Sequence, residues 1–332
     1  MVKAFSYGLG TYDVAQLLAE NNVDYLGVAN TYEGIELRKA GIVLPIMIMK
    51  PEVDSFDLVI ANNLTPTIFS IPSLKTFIAT VDNKTSTKIS LKLDTGMHRL
   101  GFQENEIQEL IELLKENEFI QIESIFSHLA AAENREEDDF TLAQIAQFEK
   151  ITASIAQNFD YHIDKHILNS SGIVRFNAAQ YDMVRLGIGL YGVSADIHTQ
   201  KQLKSASTLK SKIAQIKNIK KGETIGYGRK GLAKSDMKIA TIPVGYADGL
   251  SRALGNGKWS MIIHDQYAPI IGNVCMDMVM VNVSKISCKE GDQVTIFSDK
   301  NSISEMAKCI ATIPYEILTS YSPRVKRVFS YR

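Results

Sequence analysis

The feature that most constrains the fold is a series of short apolar segments that alternates with helical patterns through the first part of the chain. Apolar runs of a few residues separated by helices are typical of parallel βα units, and they indicate an α/β fold. Counted with the opening segment, about eight such runs favour a TIM-type (β/α)8 barrel. An open doubly wound sheet is the alternative, but no G-x-G-x-x-G motif follows the first strand. The predicted strands are residues 25–29, 44–49, 57–61, 88–94, 122–128, 166–169 and 183–186, and the predicted helices are residues 13–20, 33–40, 105–116 and 137–158.

The pattern changes near residue 202, where helical periodicity gives way to short apolar runs with KG, GNG and EGD turn signals between them. Short strands separated by turns that contain Gly, Asn and Asp predict a second domain that is mostly β. We therefore divide the chain into an α/β barrel at residues 1–204 and a β-rich C-terminal domain at residues 205–332. The strands predicted in the second domain are residues 211–219, 239–244, 259–264, 279–283 and 293–297.

Charge and cysteine content exclude several classes of partner. The 332 residues include 36 basic and 37 acidic side chains, so no excess of charge points to nucleic acid or to a membrane surface. Three cysteines, Cys275, Cys288 and Cys309, cannot all pair, and the absence of a CxxC motif argues against a zinc site. No signal peptide and no apolar run of spanning length is visible, so we expect a cytoplasmic protein without a metal.

The opening residues, MVKAFSYGLG, place a lysine at the end of the first predicted strand. We expect a flexible turn after it, because Gly8 and Gly10 follow. Barrel enzymes keep their chemistry at the C-terminal ends of the strands. Burial lowers the pKa of a lysine and makes its neutral amine a usable nucleophile or base. Lys3 is therefore a candidate catalytic residue, and a solvated lysine is the alternative.

A second basic segment lies at LKLDTGMHRLG. Strand alternation puts Lys92 and Asp94 on one face, toward the barrel interior. A lysine that points inward needs a counter-charge or must lose its own charge. Arg99, just beyond, has the geometry to bind a carboxylate with two parallel hydrogen bonds. A surface turn with a local ion pair is the alternative.

Further candidate residues follow the later strands. His128 ends an apolar strand, where its ring could stack on a flat ligand or serve a structural role. Arg185 lies within an apolar strand, where an unpaired guanidinium is costly. Gly187 and Gly189 could present N–H groups to a phosphate, aided by the hydroxyl of Ser170, although simple turn geometry also explains the glycines.

Taken together, these segments resemble the alanine racemase family, in which a barrel that binds pyridoxal phosphate precedes a β domain. The resemblance covers nearly the whole chain, and the opening is most similar to the racemase half of a bifunctional cell-wall ligase–racemase. It rests on the order and spacing of VKAFSYGLG, LKLDTGMHRLGF, SHLAAAE, HILNSS, MVRLGIGLYG, IPVGYADG, GNVCMD and IPYE.

The resemblance implies roles for individual residues. Lys3 would form the internal aldimine with pyridoxal 5'-phosphate and take the α-proton of D-alanine. Tyr246 would be the opposite base, acting on L-alanine from the partner subunit of a head-to-tail homodimer. Arg99 and the backbone N–H of Met276 would bind the substrate carboxylate, and Lys92 matches a lysine that is often carbamylated. The remaining cofactor-binding positions are Arg185 facing the pyridine nitrogen, His166 behind it, His128 beside the ring, and Tyr7, Asn169, Ser170, Gly187, Ile188 and Tyr315 toward the phosphate.

Racemisation suits such a site, because two bases on opposite faces of a planar intermediate can remove and return the α-proton. Lysine and tyrosine have high ordinary pKa values, so we expect nearby positive charge to lower them. The expected role is to supply D-alanine for peptidoglycan. The alternatives are a degenerate cofactor-binding or structural module without turnover, and a decarboxylase on the same barrel. Single-domain pyridoxal-phosphate carriers have no counterpart of residues 205–332.

The chain also departs from the family pattern. Relatives usually carry a further segment before the lysine, so the resemblance implies a truncated first strand and a poorly held lysine. The alternatives are a fragment, a mis-assigned start and a complete protein with impaired turnover. Phe5, Leu9 and Glu133 replace residues that are more frequent in the family, and these changes leave the proposed acid–base pair intact. Tolerance for serine, carbamylation of Lys92 and the existence of a longer natural polypeptide stay open.

Overall fold

The computed structural model describes residues 1–82 and 86–330. The chain divides into two compact units. The first unit consists of Met1–Ser6, Thr11–Leu190 and Ser194–Gln202. The second consists of Tyr7–Gly10, Tyr191–Val193 and the chain from Leu203 onward. The predicted boundary between residues 204 and 205 stays a prediction. Within the described part of the chain, no helix combines the length and apolar character that a membrane span requires.

The sheet of the first unit has six parallel strands in chain order, as the alternating apolar runs predict. The strands are β1 (Leu26–Val28), β2 (Ile46–Ile48), β3 (Thr65–Ile68), β4 (Thr87–Lys92), β5 (Ile120–Phe126) and β6 (Asp164–His166). The helices are α1 (Thr11–Glu20), α2 (Thr31–Lys39), α3 (Phe56–Ala61), α4 (Ile71–Thr80), α5 (Ile107–Glu116), α6 (Asp138–Ala156), α7 (Ser170–Arg175) and α8 (Ile197–Gln202).

Two irregular segments continue this sheet and close the ring. Beside β6, the Arg185 amide donates to the Leu168 carbonyl at 3.0 Å. The Met1 nitrogen donates to the Leu186 carbonyl at 3.0 Å, and the Val2 amide donates to the Gly27 carbonyl at 2.9 Å. The segment predicted as a strand at residues 183–186 therefore pairs without forming a regular strand. The predicted TIM-type barrel is confirmed.

The core of the first unit lies between the outer face of the sheet and the helices. Helix α5 buries Ile107, Leu110, Ile111 and Leu114, the spacing of an amphipathic helix. These side chains share one apolar cluster with Ile89 and Leu91 of β4. Because side chains alternate across a strand, Ser90 and Lys92 lie on the opposite face, inside the barrel.

One predicted strand is wrong. Residues 57–61 belong to helix α3, and the strand of this βα unit is β3. Phe56 and Val59, three residues apart, are the buried side chains of α3, which is helical spacing. A short apolar run does not distinguish a strand from a buried helical turn by periodicity alone.

The turn after Lys3 also differs from the prediction. Instead of a flexible turn, residues 4–7 form a left-handed turn, with φ of 53°, 55°, 49° and 53° at Ala4, Phe5, Ser6 and Tyr7. Each L-residue in this conformation costs about 1–2 kcal/mol, so tertiary contacts must hold the turn. The Ser6 amide donates to the Val2 carbonyl at 3.0 Å. Val2 is also buried, and this arrangement contradicts the expectation of a poorly held lysine.

The second unit is mostly β, as predicted. Its elements are β7 (Leu209–Lys212), β8 (Gln215–Ile219), β9 (Thr224–Ile225), β10 (Gly231–Leu232), β11 (Met237–Ile242), β12 (Ser260–Ile263), β13 (Gln266–Ile271), β14 (Val279–Asn282), β15 (Gln293–Phe297), α9 (Ile303–Cys309) and α10 (Pro314–Thr319). The main sheet has seven strands in the order β7-β15-β12-β13-β14-β11-β8, and β9 and β10 form a separate pair. Strand β13 is not predicted from the sequence, and it contains Pro269, a residue that argues against a strand interior.

Candidate active site

The C-terminal ends of the barrel strands carry a cluster of cationic side chains. Lys3 follows the segment that closes the ring, and Lys92 is the last residue of β4. The charges of Arg99 and Arg185 act on both lysines and lower the pKa of each. The structure thus brings together four of the residues that the sequence singles out. Such a cluster favours an anionic ligand.

Lys3 lies in conditions that favour its neutral amine. Burial lowers its pKa most, followed by the charge of Arg99, while Glu33 opposes the shift and Arg185 adds to it. A depressed pKa increases the fraction of amine that can act as a nucleophile or a base near neutral pH. This placement supports the candidate role over the alternative of a solvated lysine.

Lys92 points into the barrel, as strand alternation predicts, and only 5% of it is exposed. Its Nζ atom lies 5.9 Å from the centroid of the Phe126 ring. Burial, with Arg99 as the next contribution, lowers the pKa of Lys92 to about 8. Within residues 1–82 and 86–330, Lys92 forms no ion pair. The counter-charge that an inward lysine needs is therefore missing from the described protein groups.

The carboxylate nearest in sequence, Asp94, raises the pKa of Lys92 through its charge but forms no ion pair with it. Asp94 accepts the amides of Gly96 and His98 at 3.1 and 3.0 Å, and its second oxygen lies 3.2 Å from His98 Nδ1. The alternative of a local ion pair therefore describes Asp94 and His98. Arg99 is exposed and forms no ion pair with another described residue, which leaves its guanidinium available to a bound carboxylate.

Arg185 is 8% exposed, and main-chain oxygens rather than a carboxylate satisfy most of its donors. Its Nη2 atom donates to the carbonyls of Ser127 at 2.6 Å and Ile167 at 3.0 Å. Its Nη1 atom donates to the His166 carbonyl at 3.1 Å and lies 2.5 Å from His166 Nδ1. Burial lowers the pKa of Arg185 to about 9, so the guanidinium stays protonated at neutral pH.

Two histidines flank this guanidinium. His166 is fully buried, and burial together with the Arg185 charge holds its pKa well below the usual range. His128 Nδ1 lies 3.4 Å from Arg185 Nη2. Burial, and then the charge of Arg185, lowers the pKa of His128 to about 3. Both imidazoles are neutral at physiological pH, and the half-buried ring of His128 suits stacking on a flat ligand.

Ser170 and two glycine amides form a small polar cradle. Ser170 Oγ accepts the amides of Gly187 at 2.9 Å and Gly189 at 3.2 Å. Neither glycine has a positive φ, so turn geometry does not explain them. A Cβ on Gly189 would lie 3.2 Å from Leu186 Cδ1, which is tight. The Ser170 hydroxyl proton stays free to be donated to an anion, and Ile188, between the glycines, is buried.

Asn169 lies directly before Ser170 and bonds to the main chain on both sides. It is the N-cap of α7, and its Oδ1 atom accepts the Gly172 amide at 2.9 Å. Its Nδ2 atom donates to the Leu129 carbonyl at 3.3 Å. The side chain is therefore engaged within the protein, where it orients the first turn of α7 and Ser170 at its start.

In the second unit, Tyr7 packs among aromatic rings. Its ring centroid lies 4.6 Å from that of Tyr191 and 5.9 Å from that of Tyr315. Tyr7 is buried, and burial raises the pKa of its phenol. Tyr7 is therefore a neutral hydrogen-bond donor at physiological pH. Tyr315 lies in the first turn of α10 and is exposed.

The GYADG and GNVCMD segments pack against each other in the second unit. The Tyr246 amide donates to the Cys275 carbonyl, and the Ala247 amide to the Met276 carbonyl, both at 3.0 Å. A Cβ on Gly245 would lie 2.2 Å from the Met276 carbonyl oxygen, so only glycine fits there. Tyr246 and Met276 are 44% and 53% exposed, and the Met276 N–H has no partner among the described residues.

The sequence analysis missed several supporting residues. Glu33 and Ser127 contact the site residues Ala4 and Arg185 through hydrogen bonds that join distant parts of the chain. Asp248 accepts the Gly245 amide at 2.8 Å and pairs with Arg324 at 3.1 Å. Glu33 and Asp248 carry a local signal, because each stands three residues after the N-cap of a helical turn.

Comparisons with known families cover both units. Residues 1–195 match the family described as "Alanine racemase, N-terminal domain", and residues 206–329 match "Alanine racemase, C-terminal domain". Among characterised relatives, alanine racemase 2 of Caldanaerobacter subterraneus subsp. tengcongensis is 38% identical over 100% of this chain and 88% of its own length. The alanine racemase of Helicobacter acinonychis is 37% identical over 99% of this chain and 91% of its own length.

Solved structures give the same result. The alanine racemase of Clostridium difficile 630 superposes with a TM-score of 0.90 at 36% identity, covering 98% of this chain and 86% of that one. The alanine racemase of Bacillus anthracis with bound L-Ala-P superposes with a TM-score of 0.88 at 30% identity, covering 97% of this chain and 85% of that one. The similarity therefore extends across both units and includes the segments that carry the candidate residues.

Proposed function

Since the chain belongs to the alanine racemase family, whose members depend on pyridoxal 5'-phosphate, we propose that Lys3 and Tyr246 are the two bases by which it interconverts L-alanine and D-alanine. The chain is an alanine racemase, and the degenerate module is not favoured, because racemases match it along its whole length. The observation that carries the residue assignment is the position of Lys3, which is half-buried and lies close enough to Arg99 and Arg185 for their charges to lower its pKa.

The donor groups of the barrel fit the cofactor. Ser170 and the Gly187 and Ile188 segment offer polar groups of the kind that bind a phosphate, and the His128 ring suits the flat pyridine. Tyr7 and Tyr315 stay predicted phosphate contacts, and Asn169 supports Ser170. When bound, the cofactor withdraws electrons from the substrate and makes the α-proton more acidic.

Arg185 would limit this electron withdrawal. A guanidinium only donates hydrogen bonds, so an Arg185 that faces the pyridine nitrogen keeps that nitrogen unprotonated. A weaker electron sink gives less opportunity for transamination or other side reactions. The bonds from Arg185 to Ser127, Ile167 and His166 hold its plane in one orientation. The arrangement therefore favours proton transfer alone.

The two bases would act from opposite sides of the substrate. The neutral amine of Lys3 takes the α-proton of D-alanine, and Tyr246 takes the α-proton of L-alanine. Arg99 and the free Met276 N–H suit the substrate carboxylate. Alanine racemases act on alanine as dimers, and we infer a head-to-tail homodimer in which the partner subunit donates Tyr246. We also propose a cytoplasmic role in supplying D-alanine for peptidoglycan.

Carbamylation of Lys92 would resolve its missing counter-charge. A neutral lysine amine forms an N–C bond with carbon dioxide and releases one proton to solvent, which gives an anionic carbamate. A pKa of about 8 makes that neutral amine accessible. The resulting negative charge would balance Arg99, the largest charged contribution at Lys92. Removing the positive charge also reduces repulsion toward Lys3.

The decisive experiment follows the α-proton and the configuration separately. The purified chain, loaded with pyridoxal phosphate, is incubated with L-alanine or D-alanine in deuterated water. Proton NMR measures loss of the α-hydrogen, and a chiral assay measures inversion. We expect exchange and inversion from both enantiomers. Absence of exchange from both enantiomers would contradict the proposal. Exchange without inversion would contradict the assignment of a second base on the opposite face.

A further inference from the structure

The carboxylate of Glu33 joins the irregular segment that closes the barrel, at its end beside Lys3, to the end of β1. Its Oε1 atom accepts the amide of Ala4, the residue after Lys3, at 2.8 Å. Its Oε2 atom accepts the amide of Ala29, the residue after β1, at 2.7 Å. Both bonds are short and charge-assisted, the stronger class of protein hydrogen bond. Glu33 therefore fixes the main chain next to Lys3 relative to β1.

Glu33 is itself held in place from two directions. It lies in the first turn of α2, where its own amide donates to the Oδ1 atom of the N-cap Asn30 at 3.0 Å. A negative charge is favourable at this end of a helix. Because both carboxylate oxygens accept main-chain amides, the side chain has one defined orientation. A solvated surface glutamate would have none.

The turn that Glu33 contacts requires such support. Residues 4–7 are all left-handed, which L-residues rarely adopt. Ala4 and Phe5 are exposed, so burial of their side chains contributes little to holding this conformation. The amide of Ser6 is bonded to Val2, and the amide of Ala4 is bonded to Glu33. The turn sets the direction in which the chain leaves Lys3, and so the direction of its side chain.

Glu33 also supplies negative charge beside a group of cations. The charges that act on the pKa of Lys3 are Arg99, Glu33 and Arg185. Lys3 in turn acts on Lys92, His128 and the N-terminal amine of Met1, whose pKa burial and then the Lys3 charge lower to about 6. Glu33 alone among the charges that act on Lys3 favours the protonated amine. It therefore limits how far burial and the two arginines lower the lysine pKa.

We propose that Glu33 is a positioning residue for Lys3, which holds the left-handed turn after the lysine and balances the arginine charges around its amine. The inference rests on the proposed role of Lys3 as a base. It predicts two separable effects, one on the geometry of the turn and one on the protonation of the lysine.

The geometric effect is tested without turnover, by hydrogen exchange of the ligand-free chain. In Glu33→Gln, one carboxylate oxygen becomes an amide group that cannot accept a hydrogen bond. We expect the amide that loses its acceptor, Ala4 or Ala29, to exchange about ten-fold faster, as loss of a charged hydrogen bond implies. The other amide keeps a neutral acceptor and should exchange faster by a smaller factor. Glu36→Gln, on the exposed face of the same helix, is the matched control and should match the wild type. Equal exchange at these amides in Glu33→Gln and the control would overturn the geometric effect.

The electrostatic effect is tested by the pH profile of D-alanine α-proton exchange in the loaded enzyme. In Glu33→Gln, the part of the pH–rate profile that rises as Lys3 loses its proton should move to lower pH, because the variant lacks the carboxylate that favours the protonated amine. A mispositioned base should also lower kcat by about a hundred-fold with little change in KM. Glu33→Asp keeps the negative charge but has a shorter side chain. Its pH–rate profile should stay near that of the wild type, while the Ala4 amide should exchange faster.

The outcomes separate the two levels of inference. Wild-type kcat and an unshifted pH–rate profile in Glu33→Gln would overturn the positioning role while leaving the proposed function intact. A loss of kcat with a lower melting temperature and an unshifted pH–rate profile would identify a merely structural role and also overturn it. An inactive wild type would contradict the proposed function, and the exchange measurement on the ligand-free chain would still decide whether Glu33 holds the turn.

Discussion

The Nη1 atom of Arg185 lies 2.5 Å from the Nδ1 atom of His166. A guanidinium has no acceptor, so Nδ1 must accept and the imidazole must carry its proton on Nε2. Nε2 lies 3.3 Å from the hydroxyl of Ser124, which in turn lies 2.8 Å from the hydroxyl of Ser90. A buried chain of hydrogen bonds thus determines the tautomer of His166 and the plane of Arg185.

Replacing the guanidinium should disrupt this arrangement. In Arg185→Lys, one ammonium cannot reach the carbonyls of Ser127 and Ile167 and also His166 Nδ1. We expect racemisation to fall by about a hundred-fold and the free energy of unfolding to fall by about 2 kcal/mol. Steady-state kinetics and urea denaturation measure the two effects. Racemisation within two-fold of wild type would contradict the role of Arg185.

Removing the Tyr246 hydroxyl should separate the two faces of the reaction. Because the hydroxyl lies on an exposed residue, Tyr246→Phe should keep the wild-type stability. We expect α-proton exchange from L-alanine to fall by more than about a hundred-fold, and exchange from D-alanine to fall far less. Exchange in deuterated water is the required measurement. The equilibrium constant of racemisation fixes the ratio of the kcat/KM values in the two directions, so these values cannot reveal a loss on one face only.

Tyr267→Phe provides the control for this variant, because Tyr267 is another exposed tyrosine of the second unit. It should exchange both enantiomers at the wild-type rate. Equal losses from L-alanine and D-alanine in Tyr246→Phe would refute the assignment of one base to each face.

Lys92 should bind carbon dioxide in preference to other lysines. With a pKa of about 8, roughly a tenth of its amine is neutral at pH 7, against less than about a thousandth for an ordinary lysine. Incubation with ¹³C-bicarbonate should give one carbamate resonance in the ¹³C NMR spectrum. Lys92→Gln should abolish that resonance, and Lys88→Gln, which removes an exposed lysine, should not. A resonance that persists in Lys92→Gln would place the modification elsewhere.

Acid should destabilise the first unit through its histidines. The pKa of His128 is about 3 in the folded chain, against an ordinary value of about 6.5. Between these values the unfolded chain binds more protons, so the free energy of unfolding falls as the pH is lowered from 6.5 toward 3. One such group contributes at most about 1.4 kcal/mol per pH unit. His166 acts in the same direction.

Urea denaturation between pH 4 and pH 6.5 measures this dependence. His128→Gln should make the slope smaller by about one proton. An identical slope in wild type and His128→Gln would show that His128 is not held neutral by its surroundings.

Local pattern alone predicts much of this protein. Alternating apolar runs and helices predict the barrel, because parallel strands buried on both faces need apolar side chains on both sides. Strand alternation places Lys92 inside the barrel. Burying an unpaired guanidinium costs free energy, so the position of Arg185 in an apolar strand predicts that other groups of the protein form hydrogen bonds with it. Each of these inferences depends on neighbours in sequence or on a single side chain, and so the sequence carries it.

Other features depend on tertiary contacts. Hydrophobic periodicity does not report the sign of φ, so the left-handed turn at residues 4–7 is invisible until Val2 and Glu33 are placed beside it. The contact between Ala4 and Glu33 joins residues 29 positions apart. The tautomer of His166 depends on Arg185, 19 positions away. The sequence by itself determined the fold class and the residue types of the site; the tertiary structure decided their orientation and charge, because burial and long-range hydrogen bonds exist only in the folded chain.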